Sequence, residues 1–509
     1  MATPARIAPL GATFGRFWDG SGNRYASGQR TSPLHWSYRF VYIVTVTNWT
    51  PDLSDRPGPR YRAIADALAD DVASGRLPAG TRLPTHRDLA YRLGVTVGTI
   101  TRAYAEAERR GLIGGEVGRG TFVQGPRFNP QPDPLSWQRR TEAAAVNMTV
   151  IKPEQQASER ALAATLTAIA TSGNLASLID YAPHAGLPAH RAAAVQWMAR
   201  RHRVSASPDS VLITTGAQNG IAVALAAVAR PGDVVLTERL TAYGTRTLGA
   251  TLGLHLEGVA LDDHGLMPDA LDAACRRLAP KALYMVPSLQ NPTASVMPAE
   301  RRAETAAICR RYGVTILEDD VFGFLLTDAK PIQTIAPDIT IYITSLSKSV
   351  AAGLRVGYVV APPALSAQLE AAARALHYAA PALPAEVATR WIQDGQADRF
   401  AEAERTENAA RQELARGILP ASVICGDPAA QHLWLALPEP WRREDFVAEA
   451  KRRGVVITGA DIFAVGRASA PHAVRVGLCM PRTREEVVRG LTALADALAS
   501  PVSASMSIV

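Results

Sequence analysis

Leu77-Pro78-Ala79-Gly80-Thr81-Arg82-Leu83-Pro84-Thr85-His86-Arg87-Asp88-Leu89-Ala90 is the stretch on which the reading of the N-terminal part turns. The Pro and Gly residues punctuate it as turns, and Thr85 with Asp88 three positions on is the signature of a capped helix start. That helix ends near Leu93-Gly94. A second capping residue, Thr96, opens a longer helix that continues to Arg110, where Gly111 stops it. Upstream, Tyr61, Ile64, Ala65, Leu68, Val72 and Ala73 recur at helical spacing, and Gly75 closes that helix. Downstream, β-like pieces around Leu112-Ile113 and Thr121-Phe122-Val123 flank the glycine-rich run 114–120. Helix, short helix, tight turn, longer helix and hairpin is the order of a winged helix-turn-helix.

Charge agrees with that order. Between Gly75 and Gly125 there are eight Arg (76, 82, 87, 92, 102, 109, 110, 119), four acids (88, 106, 108, 116) and no Lys. Arg suits bidentate contacts with phosphate or guanine. A helical subdomain with a solvated basic face would give the same count; the two capping threonines and the hairpin argue against it. The start of the longer helix, Thr96-Val97-Gly98-Thr99-Ile100-Thr101-Arg102, is free of bulk, as entry into a major groove requires.

Outward from this segment the chain divides. Residues 1–50 show no sustained period and read as a poorly ordered extension, residues 58–125 as the winged unit, and the proline-bearing 126–144 as a linker. In 145–500, helical stretches alternate with short β-rich runs around Val211, Val234, Leu283, Val314 and Ile339, so the fold class is α/β with a mostly parallel sheet. The length of 509 residues agrees with more than one domain. A net charge of +7 permits a polyanionic partner. Cys275, Cys309, Cys425 and Cys479 lack the spacing of a zinc site or disulfide framework, so no metal is expected and reduced, cytoplasmic cysteines are the simpler reading. No apolar run of transmembrane length occurs, so no membrane partner is expected.

In the large region Ser345-Leu346-Ser347-Lys348 follows a β-rich run, with Arg355 seven residues on. A lysine that forms a Schiff base sits where its pKa is lowered, and hydroxyls with an Arg suit a phosphate monoester. The tetrad alone could equally be a surface loop; its company decides. Thr214-Thr215-Gly216-Ala217-Gln218 follows a strand and opens a helix, a phosphate-holding arrangement. Asn291-Pro292-Thr293 follows another strand, and an Asn can donate to a phenolate oxygen. Asp319 ends a third, where a buried carboxylate would keep a pyridine nitrogen protonated. Such strand ends converge on one side of an α/β sheet.

Two resemblances emerge from these motifs. The quoted stretch, with Leu93-Gly94-Val95-Thr96 and Gly118-Arg119-Gly120-Thr121-Phe122-Val123, resembles the GntR-type winged helix over roughly 58–124. The resemblance implies operator contacts by Arg87, Thr96, Thr99 and the wing residues Gly118, Arg119 and Gly120; Arg82 and Arg102 join them as arginines of the same basic segment. Val97 departs, standing where many members carry Arg. The large region resembles the fold-type I aminotransferases over about 145–498. That implies pyridoxal phosphate as cofactor, with Lys348 as its Schiff-base lysine and catalytic residue. Asp319 would face the pyridine nitrogen, Asn291 the ring hydroxyl, and Tyr243 would stack on the ring. Gly216, Ala217, Gln218, Ser345, Ser347 and Arg355 would hold the phosphate. Arg475, in Val474-Arg475-Val476-Gly477, would take a substrate or effector carboxylate, and Tyr181 would reach the phosphate of a neighbouring subunit. Phe322 departs, where active members usually carry a Tyr.

The two parts in this order resemble the MocR family of bacterial regulators. The resemblance implies a homodimer that binds double-stranded DNA at paired half-sites and senses pyridoxal phosphate or a small amino-compound effector. A working aminotransferase is the alternative reading, and a regulator that no longer binds the cofactor is a third.

Overall fold

A computed structural model describes residues 49–53, 59–73, 76–78, 80–109, 112–116, 120–123, 145–153, 156–173, 175–466 and 470–500. The chain divides into two compact units, Met1–Arg127 and Phe128–Val509. Gly118, Arg119, most of the predicted extension and all of the predicted linker lie outside the described residues.

The first unit holds helices α1 (Arg60–Ala73), α2 (His86–Leu93) and α3 (Val97–Arg109) and strands β1 (Ile113–Glu116) and β2 (Gly120–Val123). Each forms for a local reason. Thr85 caps α2 by accepting from the Asp88 N–H at 3.2 Å, and left-handed Gly94 (φ 62°) ends it. Ile100, Ala103, Tyr104 and Ala107 line one face of α3 at helical spacing and meet Ile64 and Leu68 of α1, Leu89 of α2 and Val123 in a single core. Tyr104 donates its buried hydroxyl to the Pro84 carbonyl at 2.9 Å, fixing the turn ahead of α2. Trimming fully buried Leu89 or Ile100 to alanine would cost about 2–5 kcal/mol. The core also takes in residues ahead of the predicted boundary at 58: Trp49 is buried in it, and its indole donates to Asp71 Oδ2 at 2.7 Å.

The hairpin corrects one expectation. Gly114, Gly115 and Glu116 read as part of the linking loop, yet they pair with 120–122 in register, Glu116 opposite Gly120. Ladder bonds are made by backbone, so glycines can continue a strand that composition assigns to a loop. The run 80–83 adds to the other edge: the Leu83 N–H donates to the Thr121 carbonyl at 2.9 Å and the Val123 N–H to the Thr81 carbonyl at 2.8 Å.

The second unit opens with β3 (Val146–Asn147) and helices α4 (Gln156–Ala170), α5 (Ala176–Ile179) and α6 (Pro188–His202). Its large sheet is built from β4 (Val211–Thr214), β5 (Val234–Glu238) and β6 (His255–Val259), which flank helices α7 (Ala217–Val228) and α8 (Tyr243–Thr251). After the small pair β7 (Leu261–Asp262) and β8 (Gly265–Leu266) come β9 (Ala282–Met285), β10 (Thr315–Asp319), β11 (Thr340–Ser345) and β12 (Gly357–Val360). The seven strands lie in the order β4-β12-β11-β10-β9-β5-β6, and only β12 runs against its neighbours. Their runs are almost wholly apolar because both faces are covered: Tyr284 and Leu317 enter one core, Leu283, Met285 and Ile316 the other. Beyond the sheet, β13 (Ile424–Cys425), β14 (His432–Ala436), β16 (Thr458–Gly459) and β17 (Ala473–Gly477) form a second sheet, while β15 (Val455–Val456) pairs in parallel with β3. The carboxyl ends of β4, β9, β10 and β11 open on one side of the large sheet, the side where such folds bind ligands.

Candidate functional site

At those strand ends lies a cavity of about 740 Å³. Ten predicted residues line it: Lys348, Asp319, Asn291, Tyr243, Ala217, Gln218, Ser345, Ser347, Arg355 and Arg475. Gly216 lies just behind, and Tyr181 lies elsewhere.

The floor is set by sheet register. Leu317 pairs with Tyr284, so Asp319, two residues on, shares that face. Tyr284 donates its hydroxyl to Asp319 Oδ2 at 2.7 Å, and the Val321 N–H reaches Oδ1 at 3.4 Å. Burial pushes the Asp319 carboxyl up to about 6, against the pull of the Tyr284 bond. Phe322, fully buried, lines the cavity and tilts toward His432, ring centres 6.0 Å apart. It offers no hydroxyl.

Lys348 sits in the turn after β11, closed by the Val350 N–H to the Leu346 carbonyl at 2.9 Å. Its amine donates to the Ile151 carbonyl at 2.5 Å. Loss of water and the Arg475 charge bring its pKa down to about 8, which leaves a sizeable share of neutral, nucleophilic amine near neutral pH.

One end of the cavity is an anion cradle. Gly216 caps α7 with φ 89°, and a glycine gives the first N–H groups of that helix no side-chain acceptor. A Cβ at Gly216 would fall 2.6 Å from Arg355 Nη2, so glycine is required there both for its backbone and for the guanidinium. Arg355 is itself left-handed (φ 52°), a conformation costing a non-glycine residue on the order of 1 kcal/mol, and reaches Ser347 Oγ at 3.2 Å and the Thr215 carbonyl at 3.3 Å. Guanidinium, hydroxyls and free amides together suit a phosphate dianion.

The other end is held by Arg475 on β17, which donates to Asn291 Oδ1 at 2.8 Å and to the Thr149 carbonyl at 2.5 Å, and lies 4.8 Å over the Phe463 ring. Its buried Nε–H has no partner. Gln290 fixes the neighbouring loop: its amide donates to Glu238 and the Leu240 carbonyl and accepts from Thr293. Thr149, Ile151, Tyr284, Phe463 and Gln290 were not singled out from the sequence. Only Gln290, directly before Asn291, stood next to a motif; the others arrive through long-range pairing. Tyr181 is 83% exposed against Tyr378, ring centres 5.2 Å apart, outside this cavity.

In the first unit, Arg87, Thr96 and Arg102 are exposed and Thr99 is half-buried, its N–H capped by Thr96 Oγ1 at 3.2 Å. Arg82 runs across Gly120, where a Cβ would meet its Nε at 2.8 Å; φ 113° also demands glycine.

The description "Aminotransferase class I and II" matches residues 146–494, and "Bacterial regulatory proteins, gntR family" matches 60–123. The uncharacterized HTH-type transcriptional regulator YdeF of Bacillus subtilis (strain 168) is 30% identical over 448 residues, 88% of this chain and 96% of its own. The HTH-type transcriptional regulator TauR of Rhodobacter capsulatus is 28% identical over 363 residues, 63% of this chain and 70% of its own. A solved archaeal alanine:glyoxylate aminotransferase shares the fold at TM-score 0.66 and 22% identity, covering 77% of this chain and 98% of that one.

Proposed function

The chain belongs to the aminotransferase class I and II family, with a gntR-family winged helix ahead of that domain, and from this we propose that it is a pyridoxal-phosphate-dependent, DNA-binding transcriptional regulator of the MocR type. One observation carries the reading: a chain with a winged helix exposing Arg87 and Arg102 also gathers Lys348, Asp319 and Arg355 around one cavity. No helix among the described residues is long and apolar enough to cross a membrane, in keeping with a cytoplasmic site of action.

Bound in the cavity, pyridoxal phosphate supplies an aldehyde and an electron-withdrawing ring. Lys348 would hold it covalently, Asp319 would keep a proton on the ring nitrogen, and Asn291 would donate to the ring hydroxyl. Tyr243 would stack on the ring. The Gly216–Gln218 amides with Ser345, Ser347 and Arg355 would take the phosphate. Arg475, with its unpartnered Nε–H, would receive the carboxylate of an amino-compound effector. Two copies would pair, Tyr181 of each reaching the other's phosphate; its exposure beside Ile179 and Leu383 supports this. Residues 58–125 act as the DNA-reading domain, 126–144 as linker and 145–500 as sensor. Effector binding would shift the sensor between two conformations and so change affinity for paired half-sites.

Footprinting of the region upstream of its own gene, with and without pyridoxal phosphate and candidate amino acids, tests this. Protection that changes with these compounds is the expected result. Amino-donor turnover that survives removal of residues 1–130, with no DNA bound by the whole chain, would establish the aminotransferase alternative instead.

A further inference from the structure

The start of α3 carries an apolar side chain that the fold does not use. Val97 is 45% exposed, on the same helix as exposed Arg102. The hydroxyls around it are engaged within the helix: Thr96 Oγ1 and Thr99 Oγ1 lie 2.9 Å apart, and Thr101 donates to the Val97 carbonyl at 3.0 Å. Beside these hydroxyls the turn offers an isopropyl group outward.

Gly98 adds a second, independent observation. Its backbone is not left-handed, and a Cβ there would meet nothing nearer than Thr96 Oγ1 at 3.8 Å. Neither conformation nor internal packing requires glycine, although glycine in a helix is less stable than alanine. A position that forgoes a side chain without internal need leaves room for another molecule to come close to the backbone.

The occupant follows from the chemistry. Valine in a helix keeps essentially one rotamer, so presenting it costs little entropy, and it has no group with which to read a base oxygen or nitrogen. On base edges in the major groove the apolar feature is the thymine 5-methyl group. We propose that Val97 reads a thymine through its 5-methyl group and that Gly98 admits that base edge to the helix. This rests on the reading of the first unit as a DNA-binding domain.

The test uses the full-length protein. Sequences are selected from random duplexes, and each thymine of the recovered site is replaced in turn by deoxyuridine, which removes the methyl alone. The expected result is one position per half-site at which uracil weakens binding about fourfold, the value of one buried methyl-sized group. Val97→Ala then binds the thymine and uracil duplexes alike. Gly98→Ala weakens binding to both duplexes without lowering the melting temperature. Wild-type protein indifferent to every replacement, or a Val97→Ala variant that keeps the sensitivity, overturns the proposal. Failure to enrich any sequence is a distinct outcome, which overturns the DNA-binding reading and the inference with it.

Discussion

Tyr284 holds Asp319 from the neighbouring strand, hydroxyl to carboxylate at 2.7 Å, at the floor of the cavity. Burial nevertheless pushes the carboxyl up to about 6 from the ordinary 3.8. Between those values the folded chain keeps a proton that the unfolded chain has lost, so stability falls as pH rises from about 4 to about 6 and stays lower above. Asp319→Asn should remove this dependence and stabilise the cofactor-free protein at pH 7–8, relative to pH 4, by on the order of 3 kcal/mol. Melting temperatures across that range measure it; wild-type and variant profiles that run parallel would refute the assignment. Tyr284→Phe should push the carboxyl higher still, so that cofactor is lost at a higher pH.

Schiff-base formation should follow the Lys348 amine. Its rate with added pyridoxal phosphate should rise with pH and inflect near 8. Arg475→Leu removes a charge that opposes protonation, so the inflection should move upward. Lys348→Ala should show no visible Schiff-base absorbance at any pH.

Phe322→Tyr should give the cavity a hydroxyl it lacks. One added hydrogen bond is worth roughly 1–1.5 kcal/mol, so the half-reaction with an amino donor should quicken by about tenfold in single-turnover absorbance measurements. An unchanged or slower rate would mean that something other than the missing phenol limits turnover.

Arg87 and Arg102 are exposed on the short and long helices of the winged unit. If each meets a phosphate, alanine at either should flatten the plot of log affinity against log salt by about 0.9 and weaken all duplexes alike. A sequence-selective loss with no change in slope would reassign that arginine to a base.

Trp49→Phe should keep the ring in the core but lose the indole bond to Asp71, costing about 1 kcal/mol in thermal unfolding. No change would mean that the run 49–53 contributes little to the first unit.

What the sequence discloses is chemistry local to the chain. Thr85 and Asp88 announce a helix start because cap and capped amide lie three residues apart, and Gly216, Asp319 and Lys348 could be read because each follows an apolar run that a strand explains. Tyr284 could not be paired with Asp319 beforehand: 35 residues separate them, and only strand register brings them to one face. Arg475 was legible as a candidate residue, and it lines the cavity, whereas its bonds to Asn291 and Thr149 depend on two sheets meeting. Trp49 was passed over because a lone aromatic in a run without periodicity gives no sign of what it packs against.

The bond from Lys348 to the Ile151 carbonyl makes the two forms of the protein rivals for one nitrogen. An amine taken up by an aldehyde would keep one N–H at most, so the carbonyl would lose or share its donor, and a polar group stranded in a buried residue costs about 1–3 kcal/mol unless its surroundings rearrange. The run in question, 145–153, also supplies the Arg475 acceptor at Thr149 and is the first described stretch after the winged unit. A lysine taken up by the cofactor would therefore leave the 145–153 run held by its pairing with β15, by the Gly477 N–H and by Arg475, with one tie fewer than before.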